Sequence, residues 1–325
     1  MDLRLLALSD DAALRQAYEV ECEALQAVRH GWVPLGPRAR IAAWQARNGW
    51  QRRIVGAFDG EALVGFASSA TADDTPDTTW VDVHVHPDHQ RRGIGSQLAR
   101  AAEASAPDAV VRLVASAYRP TQAAADSLVE GFAAALGYAR ATDETVVELD
   151  LDSADLAESV APQGYTVSTH VDGVPPSLRR EVGVVKGLVD AEAPNGDLAW
   201  EPTPVSEEEY AAEIALWTAQ GRTAVESVAL DGHGAVAAWT CLLLPAGDST
   251  RAAQVEGTLV LGTHRGRGLG RAVKVASLRA ARERRAGLRV RTSSDNQNVW
   301  MHAVNRGLGF VPVESEVLLQ KRLQP

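Results

Sequence analysis

Two short segments place glycines and arginines where they can hold a polyanion. They are His89-Gln90-Arg91-Arg92-Gly93-Ile94-Gly95-Ser96 and His264-Arg265-Gly266-Arg267-Gly268-Leu269-Gly270-Arg271. Each follows a run that reads as a strand and precedes a run that reads as a helix. The first N–H groups of a helix lack intrahelical partners and carry the positive end of its dipole. Glycines let the backbone approach a bound group closely, and arginines add charge-assisted donors. Such a loop suits phosphate or pyrophosphate. One isolated Gly-x-Gly is more often only a tight turn, but two copies in the same context, both with arginines, favour binding.

The two segments belong to a repeat. They align at an offset of 175 residues, and downstream Leu136-Gly137-Tyr138 aligns with Leu308-Gly309-Phe310 at an offset of 172. Landmarks kept in order and spacing indicate one fold written twice. The length of 325 residues agrees, since one domain typically takes about 150. The expected division is a first domain over 1–151, a polar linker over 152–164 and a second domain over 165–325.

Each copy reads as the same string of elements. The first has a strand over Leu3–Leu8, helices over Asp11–Leu25 and Arg38–Arg47, and hairpin strands around Asp59-Gly60. A strand over Trp80–Val85, the glycine loop, and a helix over Ile94–Ala104 follow. Then come a strand from Val110, a helix over Ala124–Leu136 and a last strand over Thr145–Leu149. The second copy repeats the order, with its central strand over Val255–Leu261 and its loop helix from Leu269. The expected fold class is α/β (α+β): two tandem domains, each a mixed, mostly antiparallel twisted sheet flanked by helices.

Composition narrows the partners. Apolar residues make up 46% and charged residues 23%, as in a globular protein. The formal charge is −10, of which residues 1–150 carry −7 and the remainder −3. Nucleic acid and anionic membranes both need a basic face, so neither is an expected partner. Any anionic ligand must be held by local donors. Cys22 and Cys241 are the only cysteines, which offers no disulfide framework and fits a reducing cytoplasm. Of 32 basic residues only Lys186, Lys274 and Lys321 are lysines.

The loops resemble the acetyl-CoA signature of the GNAT superfamily of acyltransferases, Gln/Arg-x-x-Gly-x-Gly/Ala between a strand and a helix. Gln90 to Gly95 and Arg265 to Gly270 both fit it, and Val85-His86-Pro87 before the first loop is common in that family. A second signature runs Asn, a small or apolar residue at +3, Tyr at +7, and Gly-Phe at +11 and +12. Asn298, Met301, Asn305, Gly309 and Phe310 take those places in the second copy, and Asp126, Val129, Ala133, Gly137 and Tyr138 in the first. The arrangement is similar to tandem GNAT proteins of actinobacteria, the architecture of mycothiol synthase. Ala193 to Glu201 also resembles an acceptor-side loop of such proteins.

The resemblance implies a direct attack of an amine on acetyl-CoA in a ternary complex, so that positioning supplies much of the rate. Acetyl-CoA would be bound by Arg265, Gly266, Arg267, Gly268, Leu269, Gly270, Arg271 and Asn298. In the first copy Val85, Gln90, Arg91, Arg92, Gly93, Ile94, Gly95 and Ser96 would do the same. Backbone N–H groups over Leu259, Val260 and Leu261 would polarise the thioester carbonyl. Glu256, nine residues before Arg265, is the candidate base; a solvated strand carboxylate is the equal alternative. The family usually protonates departing CoA with the +7 Tyr. Here Asn305 and Ala133 stand instead. An amide can donate to sulfur, so chemistry is expected in the second copy, with the first catalytically degenerate.

Asp82, His84 and His86 share one strand face and could ligate zinc, but side chains satisfied within the fold are the expectation, with no metal. Trp200, Trp217, Trp239 and Trp300 read either as core or as an acceptor pocket. Glu207-Glu208-Glu209 reads as an acidic helix start, or as an acidic mouth for cationic amines. The expected activity is acetyl-CoA-dependent N-acetylation of a small-molecule primary amine, by a monomer or homodimer. A non-catalytic CoA-binding sensor or scaffold, or more narrowly a mycothiol synthase, are the alternatives.

Overall fold

A computed structural model describes residues 1–29, 31–47, 49–120, 128–157, 161–247 and 250–323. The chain runs β1 (Asp2–Leu6), α1 (Asp11–Gln26), α2 (Pro37–Gln45), β2 (Trp50–Asp59), β3 (Ala62–Ala72), β4 (Thr78–Val85), α3 (Ile94–Glu103), β5 (Arg112–Pro120), α4 (Leu128–Ala135) and β6 (Ala139–Asp150). It continues β7 (Thr166–Val171), α5 (Pro176–Gly187), α6 (Val189–Glu192), α7 (Glu207–Ala219), β8 (Thr223–Leu230), β9 (Val236–Leu244) and β10 (Ala252–Val260). The last elements are α8 (Leu269–Arg284), β11 (Arg289–Asp295), α9 (Val299–Gly307) and β12 (Val311–Arg322). The mixed sheets flanked by helices repeat the expected order of elements in both copies.

The chain packs into two compact units, and they do not divide where the repeat does. Unit 1 is Met1–Asp143 together with Glu314–Pro325, and unit 2 is Glu144–Val313. Each copy's last strand completes the other copy's sheet. In unit 1, β12 pairs antiparallel with β5, from Glu314 opposite Pro120 to Arg322 opposite Arg112. In unit 2, β6 pairs antiparallel with β11, from Asp150 opposite Arg289 to Glu144 opposite Asp295. The cores follow the pairing. Val317 and Leu319 pack with Ile94, Leu98 and Leu113 of unit 1. Val147 and Leu149 pack with Leu242, Val275 and Val290 of unit 2. The start of the stretch expected to link the domains is packed: Leu156 is buried in the unit 2 core beside Leu151, the last residue before it, and Gly287 N–H donates to Asp152.

Within each unit a parallel pair opens a cleft. Strand β4 pairs with β5 only over Thr78–Trp80, and β10 with β11 only over Ala252–Gln254. Beyond those residues the strands part, just before the glycine loops. On one face of unit 2, α5 packs against β9 and α7, and α7 against β8. Gly183 and Gly187 of α5 admit the chain at 203–205 so tightly that a Cβ would meet the carbonyl oxygens of Val205 and Thr203 at 2.0 and 2.1 Å. Helix α7 starts with a capping box in which Ser206 accepts from Glu209 N–H and the Glu209 carboxylate accepts from Ser206 N–H. The triplet Glu207 to Glu209 is thus a helix start.

Candidate active site

The two glycine loops are built alike. In unit 2 the loop runs from the end of β10 through a 3₁₀ turn, and Gly266 and Gly268 adopt φ of +74° and +80°. A Cβ on either would meet nothing within 4 Å, so open space lies over the backbone there. The first α8 bond across the cap is Ala272 N–H to Gly268 carbonyl, which leaves the N–H groups of Leu269, Gly270 and Arg271 without helical acceptors. In unit 1, Gly93 (φ +77°) repeats the cap, and Gln97 N–H closes onto its carbonyl. Arg91 holds φ of +61° where unit 2 has a glycine, a conformation that costs a residue with a Cβ about 1 kcal/mol or more.

The first residue of each motif ties the loop to its strand. Gln90 Nε2 donates to the Val85 carbonyl at 3.0 Å, and Arg265 Nε to the Val260 carbonyl at 3.1 Å. Arg265 also pairs with Glu192 of α6. Arg267 is held by the Tyr165 hydroxyl at 2.8 Å, which in turn meets His264 Nδ1 at 2.9 Å. Arg91 and Arg92 are exposed. Arg271 lines a depression with Arg289 and Arg306. Asn298 caps α9, its Oδ1 accepting from Met301 N–H at 3.1 Å. Its counterpart in the first copy, Asp126, lies outside the described residues.

The central strands differ between the units. In β10 the register against β9 slips between Val255 and Gly257, so Glu256 is an extra, bulged residue. A bulge re-aims one side chain and bends its strand. Strand β4 pairs with β3 without interruption from Thr79 to Val85. Of the backbone donors expected over Leu259 to Leu261, Leu261 N–H is taken by the Ala237 carbonyl at 3.0 Å. Alternation along the strand then turns Val260 N–H the other way, toward the gap that β11 has left.

Glu256 sits in a charged and aromatic setting. Arg222 Nη2 is 3.7 Å from its Oε1, and 29% of the Glu256 side chain remains open to solvent. Surrounding protein pushes its carboxyl up, and Arg222 pulls it down. Arg222 Nε is buried without a hydrogen-bond partner. Nearby, Lys186 pairs with Glu213 and lies 5.0 to 5.8 Å from the ring centres of Trp239, Trp217 and Tyr210. Buried Glu226 accepts from Tyr210 Oη and, at 2.9 Å, from Trp239 Nε1. Trp217 and Trp239 thus belong to the floor of this face, whereas Trp300 at the start of α9 is 82% exposed.

Asn305 faces inward. It is 2% exposed, its Oδ1 accepts from Lys274 Nζ at 2.9 Å, and its Nδ2 is buried with no partner. Lys274 is 3% exposed, and burial pushes its amine down to about 7. At the matching places in unit 1 stand Ala99 and Ala133, also buried.

The same face of unit 1 is closed by its own side chains. His84 lies against Phe66 with ring centres 5.0 Å apart, its Nε2 is 3.8 Å from Glu21, and Glu21 is clamped by Arg40. Burial lowers the His84 imidazole. His86 pairs with Glu23. Among the described residues no three His, Cys, Asp or Glu side chains gather as a metal site; His84 and His86 turn to Glu21 and Glu23 of α1. No described helix is long and apolar enough to cross a membrane.

The sequence singles out the loops and Glu256 as candidates, but not Arg222, Lys186 and Glu213 near Glu256 or Lys274 beside Asn305. One signal was present. In a chain that otherwise uses arginine, the three lysines stand out, and all three are mostly buried and partnered, Lys321 by Glu103.

Known proteins resemble this chain in sequence and fold. The sequence model of the Acetyltransferase (GNAT) family matches residues 14–132 and again 194–310. A mycothiol acetyltransferase of Rhodococcus erythropolis is 27% identical over 296 residues, covering 86% of this chain and 87% of that protein. A tandem GNAT protein from the clavulanic acid biosynthesis pathway superposes with a TM-score of 0.83 at 25% identity, over 100% of this chain and 99% of the other. A GCN5-related N-acetyltransferase from Sphaerobacter thermophilus shares the fold, with a TM-score of 0.69 at 18% identity over 100% of this chain and 96% of its own. With the family matched twice, and both matches spanning a glycine loop, the chain belongs to the GNAT family of acetyltransferases and carries its fold in tandem.

Proposed function

We propose that unit 2 transfers an acetyl group from acetyl-CoA to a primary amine of a small molecule, by direct attack with both bound together. The observation that carries this reading is the bulge at Glu256, present in β10 and absent from β4. It brings a carboxylate to the edge of the cleft where β10 and β11 part.

The residues fit acetyl-CoA. Gly266 and Gly268 leave an open cradle at a helix start, where the N–H groups of Leu269 to Arg271 have no helical acceptor, and a pyrophosphate suits such a place. The bound thioester supplies an activated acetyl group. The chain's own residues do the rest. Glu256 takes the proton of the attacking amine, directly or through one water. Val260 N–H donates to the carbonyl oxygen as negative charge grows on it. The Asn305 amide donates to the sulfur that departs. Unit 1 keeps a similar loop but has an unbroken central strand and a face filled by Glu21, Arg40 and His84. We read it as non-catalytic.

The acceptor side of unit 2 carries Glu213 and Glu256 as its more open charged groups, with Lys186 and Arg222 more deeply placed. An amine held as a cation suits that pattern. Steady-state release of free CoA, followed with acetyl-CoA and a panel of diamines, amino sugars and amino acids, tests the reading. Turnover with at least one amine is expected. Tight CoA binding with no turnover on any amine contradicts the reading and favours a CoA-binding module.

A further inference from the structure

Helix α8 leaves the glycine loop and packs over β8, β9 and β10, while α9 follows β11. The two helices therefore flank the seam along which β10 and β11 part. One polar pair bridges them, Lys274 Nζ to Asn305 Oδ1, in a layer otherwise formed by Val275, Leu278, Leu308 and Phe310. Both residues are almost fully buried.

A buried lysine is costly unless something repays it, and the fold does not require one here. In unit 1 the same two places hold Ala99 and Ala133, packed at 1% and 7% exposure. The polar pair is thus particular to the unit that has the bulge.

The pair also fixes a direction. Lys274 Nζ donates to the amide oxygen of Asn305, which turns the amide nitrogen away from it. That nitrogen is buried and meets no acceptor. An unmet buried donor is destabilising, and an acceptor brought in by a ligand relieves it.

We propose that Lys274 is a positioning residue: it holds the Asn305 amide so that Nδ2 is presented as a hydrogen-bond donor to the sulfur of CoA bound in unit 2. This rests on unit 2 being the site of acetyl transfer. Lys274 does not itself touch the reacting atoms. It orients the group that does.

The test compares binding of CoA and desulfo-CoA to the full chain by calorimetry. The intact protein is expected to bind CoA about fivefold more tightly in unit 2, the worth of one net hydrogen bond. Asn305→Ala and Lys274→Met should each bring the ratio to about one. The double variant should match either single one, because the two residues act in series. A variant whose packing alone has suffered weakens both ligands equally and leaves the ratio at about fivefold, which overturns the proposal. So does an intact protein with a ratio near one. CoA that fails to bind unit 2 at all strikes instead at the proposed function.

Discussion

Replacing Glu256 by glutamine is expected to lower kcat by about 10²- to 10⁴-fold, the usual range for a positioned general base. Acetyl-CoA binding and Tm should change little, because the side chain is part-exposed and caps no helix. The reason is geometric. The bulge puts this one carboxylate where the sheet opens, and the uninterrupted β4 offers no equivalent. Protonation sets the pH dependence. Glu256 works as a base only when ionised, so activity falls as pH drops through its raised value. Arg222, just before β8, holds that value down, as does Lys186 on α5, while Glu213 on α7 raises it; Glu256 in turn pushes up the Cys241 thiol on β9. Arg222→Met removes the closest cation, so the acidic limb of kcat should move to higher pH. If Glu256→Gln keeps near-full kcat, the base is elsewhere. An acidic limb unmoved in Arg222→Met separates the Arg222 contact from the chemistry.

The exchange of last strands predicts crossed stability effects. Leu319 lies near the end of the chain, yet it is 4% exposed in the core of unit 1. Leu149 belongs to the first copy by sequence, yet it is 3% exposed in the core of unit 2. Emptying either site should cost about 2–5 kcal/mol, the range for truncating a buried leucine. Leu319→Ala should therefore loosen amides of residues 1–143, and Leu149→Ala those of residues 144–313. Amide hydrogen exchange resolved by peptide reads this directly. Loss of protection in the unit of sequence origin, Leu149→Ala loosening β2 to β4, would contradict the exchange.

The glycine loops were legible because their chemistry is local. Gly93 and Gly268 need a left-handed backbone at a helix start, and the sequence states that within six residues. Glu256 was legible only as a carboxylate on the right strand; the slip that makes it a bulge depends on pairing with β9 and leaves no local mark. The strand exchange was hidden by the repeat itself. Strands β6 and β12 present equivalent apolar faces, so either can complete either sheet, and sequence periodicity does not choose between them. The stretch from Asp152 reads as a polar linker because Asp152, Ser153 and Asp155 dominate its start, while Leu156, with Leu151 just before it, is anchored in the unit 2 core. The Lys274–Asn305 pair joins two residues 31 positions apart on different helices, a contact that spacing alone does not announce.

Unit 2 as the site of acetyl transfer is tested most directly by blocking each loop in turn. Gly268 and Gly93 both hold a left-handed φ with open space above them, so a bulky side chain at either fills its own cradle. The measurement is release of free CoA from acetyl-CoA with an amine that turns over. Gly268→Trp is expected to abolish it, and Gly93→Trp to leave turnover in place. Turnover that survives in Gly268→Trp and vanishes in Gly93→Trp would place the chemistry in unit 1.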